Sequence, residues 1–183
     1  QGKSMKDIAD ILNCSLHKVN YWMDAYSIKT RSISEAIYLK NNPEGDPFTF
    51  KKPSNVREWE LYGFGLGLYW GEGTKADKGS VRLGNSDSGI IKKFMEFLMI
   101  IFRVKRADFK FGLQLFNDIS QQTAMDFWTK SLRINERQFY KVTVSPSVSQ
   151  GTYTKKAEYG VLTVYYHNKK LRDLLVSLLP VPM

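Results

Sequence analysis

Gly63-Phe-Gly-Leu-Gly-Leu-Tyr-Trp-Gly-Glu-Gly73 places glycine at 63, 67 and 71, every fourth position of an otherwise helical, apolar run. Inside a helix each such glycine costs up to about 1 kcal/mol relative to alanine, so the spacing calls for a compensating contact. Residues four apart share one helix face, and a face without Cβ atoms lets a second helix approach at short distance, as small-xxx-small faces do elsewhere. The stripe ends at Glu72. Two copies of the helix, paired along the stripe, would bring two carboxylates close together, the outline of a divalent-metal site.

The string Gly67-Leu-Tyr-Trp-Gly-Glu-Gly73 resembles the last seven positions of the signature helix of the LAGLIDADG homing endonucleases. The resemblance extends in the order of helices and strands to about Leu179. It implies an α+β, LAGLIDADG-type fold: an antiparallel sheet with helices on one face, built on an αββα-type repeat. It also implies that the signature helices pack through Gly63, Gly67 and Gly71, and that Glu72, just before the final glycine, is catalytic and binds the metal. Trp70 stands where the family usually has its first aspartate. Lys169 and Lys170, opening the last predicted helix, fall near the family's basic residue beside the scissile phosphate; the resemblance gives them a catalytic role, with a solvated helix end as the alternative.

The chain's 183 residues suit one domain with a small appendage. Its net charge of +9, from 27 basic and 18 acidic side chains, favours a polyanionic partner, although a merely soluble basic protein would carry the same excess. No apolar run is long enough for a membrane span. The single cysteine, Cys14, cannot form an internal disulfide, and with two histidines in the chain a zinc site is not expected. The single cysteine fits a reducing, cytoplasmic setting; the resemblance implies a prokaryotic or phage-like one, and no small-molecule cofactor is expected.

Asn41-Asn-Pro-Glu-Gly-Asp-Pro47 breaks every periodic pattern. It divides the chain into a helix-turn-helix module (1–42), a linker (43–55) and the endonuclease-like domain (56–183). In the first part, Ser4 with Asp7 and Ser32 with Glu35 have capping-box spacing. Short helices are expected from Ser4 to Leu12 and from Leu16 to Tyr26, with Cys14 and Trp22 in the core. A third helix begins at Ser32, and the helix that usually precedes such a pair would lie upstream of Gln1. In a helix-turn-helix the second helix enters the major groove by its N-terminal half, here exposing His17, Lys18, Asn20 and Tyr21; an ordinary solvated helix face is the alternative.

Beyond the linker the patterns give a helix over 56–71, a hairpin over 72–85 and a mostly buried helix over 88–102. A strand over 108–116, a helix over 118–132, strands over 138–144 and 159–167, and a closing helix over 169–179 follow. A sheet laid along the major groove reads bases and backbone with alternate side chains. Arg82, Lys110, Gln114, Lys141 and Thr143, with Lys155 and Lys156 from the loop 145–157, are the candidates, and Tyr165 and Tyr166 are assigned to core or interface.

The expectation is a homodimer binding specific duplex DNA and cutting it with Mg²⁺ or another divalent cation. The alternative is a catalytically silent DNA-binding regulator on the same scaffold, similar in arrangement to the sporulation regulators that join a helix-turn-helix to a LAGLIDADG domain.

Overall fold

A computed structural model describes residues 2–146 and 157–180. Lys155, Lys156 and most of the predicted loop lie outside the described residues. The chain forms two compact units, Gln1–Pro47 and Phe48–Met183.

The first unit holds α1 (Met5–Ile11), α2 (Leu16–Ala25) and α3 (Ile33–Asn41). Ser4 and Ser32 cap their helices through reciprocal bonds with Asp7 and Glu35, as the spacing predicts. The turn after α1 passes through Asn13 at φ 46°, and the Cys14 N–H closes it on the Ala9 carbonyl at 2.9 Å. Ala9 and Val19 are buried, but Trp22 is 46% exposed, stacked on Tyr26 and edge-on to Tyr21. Trp22 is therefore not a core residue: its indole stacks on Tyr26 and lines the wall of a groove instead of filling the space between α1 and α2.

The second unit is α+β. Its helices are α4 (Val56–Glu72), α5 (Ser88–Ile101), α6 (Gln121–Leu132) and α7 (Lys169–Ser177). Its sheet contains β1 (Val81–Asn85), β2 (Lys110–Phe116), β3 (Thr143–Ser145) and β4 (Val161–Tyr166), in the order β1-β4-β2-β3. β4 runs antiparallel to both β1 and β2, whereas β2 and β3 are parallel. The sheet is thus mixed, not purely antiparallel. The reason is α6, which intervenes between β2 and β3 and returns the chain to the start of its neighbour, as parallel pairs require. The strand expected over 138–144 is correspondingly reduced: a 3-10 turn occupies Glu136–Gln138, and regular pairing begins only at Thr143.

Alternation along the strands sends Val81 and Leu83, Phe111, Leu113 and Leu115, and Leu162, Val164 and Tyr166 into one core. The helices cover that face with Leu61 and Tyr69 of α4, Ile91, Phe94, Phe97, Leu98 and Ile101 of α5, Trp128 of α6, and Leu171 and Leu175 of α7. α5 is apolar on most of its circumference, as its composition demands of a buried helix. Before α4, Phe48–Lys51 is fastened to the end of α5: the Thr49 and Lys51 N–H groups donate to the Phe102 and Ile101 carbonyls at 2.9 and 2.7 Å.

Candidate nucleic-acid interface

α4 has two unlike faces. Inward, Leu61, Gly65 and Tyr69 are buried, and a Cβ on Gly65 would fall 2.1 Å from Cγ of Phe97. That glycine brings α4 against α5. Outward, a Cβ on Gly63, Gly67 or Gly71 would meet nothing within 4 Å, so the stripe has no neighbour among the described residues. The helical period sets Val56, Trp59, Phe64 and Trp70 beside it, each at least half exposed. A backbone groove rimmed by aromatic rings results.

Glu72, the exposed last residue of the helix, follows Gly71 one position round from the stripe. Gly73 then turns the chain toward β1: its N–H donates to the Tyr69 carbonyl at 3.0 Å, and it bridges Leu83 as an antiparallel pair. A Cβ there would meet that carbonyl at 2.4 Å, which leaves room only for glycine. The expected hairpin is therefore present as this bridge together with the Thr74 N–H bond to the Arg82 carbonyl at 3.0 Å.

Two cations fasten the turn. Lys75 donates to the Trp70 carbonyl at the open end of α4, where helix carbonyls lack partners. Arg172 of α7 reaches across 97 positions of sequence to donate to the Lys75 carbonyl, and its Nη1 also bonds Asp173 at 3.0 Å. Arg172 Nε and the Tyr69 hydroxyl are buried with no hydrogen-bond partner among the described residues. Burial pushes the Tyr69 hydroxyl above its ordinary pKa, with the Arg172 charge pulling the other way. Lys169 pairs with Asp173 one turn along α7, and Lys170 is exposed beside it.

The sheet face opposite the helices is mostly polar, with Phe116 and Val161 exposed at one end. Register places Arg82, Tyr165 and Lys110 in one row, Gly84, Thr163 and Gly112 in the next, and Gln114 beside Thr143. Arg82, Lys110, Gln114 and Thr143, four of the predicted residues, are therefore on one surface, none of them buried. Lys141 is exposed two residues before β3, outside regular pairing. Gly112 is a close-approach site: a Cβ would stand 3.1 Å from the Tyr165 ring.

Arg82 is held by three neighbours on this face. Its Nε donates to Ser80 Oγ at 2.7 Å, its Nη2 pairs with Asp77, and its guanidinium lies 5.2 Å from the Tyr165 ring centre. The Gly79 N–H, and then the Arg82 charge, hold the Asp77 carboxyl below its ordinary value. Tyr165 is stacked on His167, and the Tyr140 hydroxyl meets His167 Nε2 at 2.5 Å. Burial, then the Arg82 charge, holds the His167 imidazole below its ordinary pKa. Tyr165 therefore faces outward, while Tyr166 is core. Sequence reading missed Tyr140, Tyr165 and His167; the odd-even burial of β4 was the available signal, since Leu162, Val164 and Tyr166 fix Tyr165 on the other side.

In the first unit, His17, Lys18, Asn20 and Tyr21 are all exposed on α2. Beside them Ile8, Leu12, Cys14, Val19, Trp22, Met23 and Ile28 line a groove of about 420 Å³.

No helix among the described residues is long and apolar enough to cross a membrane, and those residues contain no group of three or more His, Cys, Asp or Glu side chains placed to hold a metal ion. No protein-family model, curated protein or solved structure matches the chain.

Proposed function

We propose that this protein binds specific sites in double-stranded DNA as a homodimer and cuts them in a divalent-metal-dependent reaction, with LAGLIDADG-type architecture in its second unit. One observation carries the reading: among the described residues the glycine stripe of α4 has open space beside all three glycines, and the residue after its last glycine is an exposed carboxylate. Bare backbone in a helix is a standing cost, and nothing among the described residues packs against the stripe to recover it. A second copy of the same helix would, and symmetric pairing is the commonest way for a patch to complement itself.

Pairing would gather Glu72 of each copy beneath two polar sheet faces. Magnesium suits so sparse a donor set, because it keeps several waters and needs one or two carboxylates beside phosphate oxygens; Glu72 of each copy would hold it. When bound, the ion supplies a more acidic water and neutralises charge at the phosphate. The chain's own residues would orient the duplex: Lys110 and Lys141 meet phosphates, Arg82, Gln114 and Thr143 face the groove, and His17, Lys18, Asn20 and Tyr21 present the second helix of the first unit to a neighbouring stretch of DNA. Lys169 and Lys170 are proposed to stabilise charge on the cleaved phosphate.

A second reading, a silent DNA-binding regulator on the same scaffold, is favoured by Trp70, which is 53% exposed at the rim of the stripe and brings no carboxylate. Incubating the protein with a random duplex library in Mg²⁺, with Glu72→Gln beside it, separates the two. The endonuclease reading expects cutting by the wild type and loss of cutting, with binding retained, in the variant. Specific binding without cutting selects the regulator, and salt-independent or absent binding overturns both.

A further inference from the structure

We infer that Arg82 reads a guanine in the major groove, acting as a preset fork rather than as a flexible cation. The inference rests on the DNA-binding reading above and adds to it the base recognised and the residue responsible. Two donors on one edge of the guanidinium are already committed, Nε to Ser80 Oγ at 2.7 Å and Nη2 to Asp77. The ring of Tyr165, 5.2 Å away, supports the plane from one side. What these contacts leave is the end-on pair of N–H groups, one on Nη1 and one on Nη2.

A planar pair of parallel donors matches the O6 and N7 acceptors of guanine, the commonest specific contact in the major groove. Arg82 is partly exposed, its side chain retaining 35% of its accessible surface. It lies in the same row of the sheet as Lys110, so a strand laid along the groove would offer it base edges while the lysine meets the phosphates. Ordinarily an arginine gives up much rotamer freedom on binding. Here Ser80, buried to 1% exposure, and Asp77 have fixed the side chain beforehand. Phosphate contact would not require such a fixture, since a lysine reaches phosphates without one.

The experiment is selection of bound duplexes from a random library by the full-length wild type, Arg82→Gln, Arg82→Lys and Asp77→Asn, each first checked by circular dichroism. The inference expects a required guanine in the wild-type sites. It expects that preference to fall roughly ten- to a hundredfold in Arg82→Gln and Arg82→Lys, with other positions unchanged, and to weaken in Asp77→Asn, where the fork is loosened but present. It is overturned if no wild-type position requires guanine, if Arg82→Gln keeps the same requirement, or if the variant weakens every site equally, the signature of a phosphate contact. Failure of the wild type to bind duplex DNA would instead remove the underlying reading.

Discussion

A Cβ on Gly65 would fall 2.1 Å from the ring of Phe97, while one on Gly67, two residues on, would stand in open space. α4 thus uses its glycines for opposite purposes on its two sides, one to seat the helix on α5 and the other to keep a ridge bare. Gly65→Ala should destabilise the unit by about 1–3 kcal/mol, because fully packed cores absorb added methyls poorly. Gly67→Ala should raise the stability of a dissociated chain by up to about 1 kcal/mol through helix propensity. Urea unfolding at low protein concentration measures both, and equal destabilisation by the two would contradict the division.

Arg172 connects α7 to the turn that carries Glu72. Arg172→Met should free the Lys75 carbonyl and leave Tyr69 and Asp173 without the guanidinium beside them, raising the rate at which trypsin cuts at Lys75 and Lys78. Arg172→Lys should restore part of the protection. If the Met variant resists trypsin as the wild type does, the turn is held by its other bonds.

Lys110 is predicted to meet a phosphate. Lys110→Ala should weaken binding to all duplexes alike and lower the steepness of the log-affinity against log-salt plot by about one unit. Loss of preference at a single base with an unchanged salt slope would assign it to base readout.

Glu58 accepts from Lys51 and from the Ser54 N–H at the start of α4, and these contacts, Lys51 first, pull its pKa from 4.5 down to about 2. A depressed carboxylate contributes stability that is complete above its unfolded value and is withdrawn as pH falls from about 4.5 toward 2. Carbon NMR should show Glu58 titrating near 2, and Lys51→Met should move the midpoint upward; a midpoint at the ordinary carboxylate value in the wild type would show that the contacts do not persist in solution.

Much of the second unit was legible because its periods are strong. The buried α5, the alternation of β2 and the capped start of α7 lie within a residue or two of their expected positions. β3 was not, because Phe139 belongs to an isolated bridge with Phe111 and its apolar neighbours mimic a strand whose pairing starts only at Thr143. Parallel pairing likewise depends on where α6 returns the chain, which no local pattern records. At the site, local spacing marked the bare stripe and Glu72, whereas the Arg172 tether joins positions 97 residues apart and leaves no trace in sequence. Arg82 was legible as a surface cation, but its contact with Tyr165 emerges only from the sheet register, and its bonds to Ser80 and Asp77 depend on the fold of the turn before β1.

The central claim is that two copies meet along Gly63, Gly67 and Gly71, and sedimentation equilibrium tests it most directly. The wild type should have the mass of a dimer, and Gly67→Leu, which adds a side chain where the chain itself has room, should have the mass of a folded monomer. A monomeric wild type, on and off DNA, or a dimer untouched by the leucine would contradict the account.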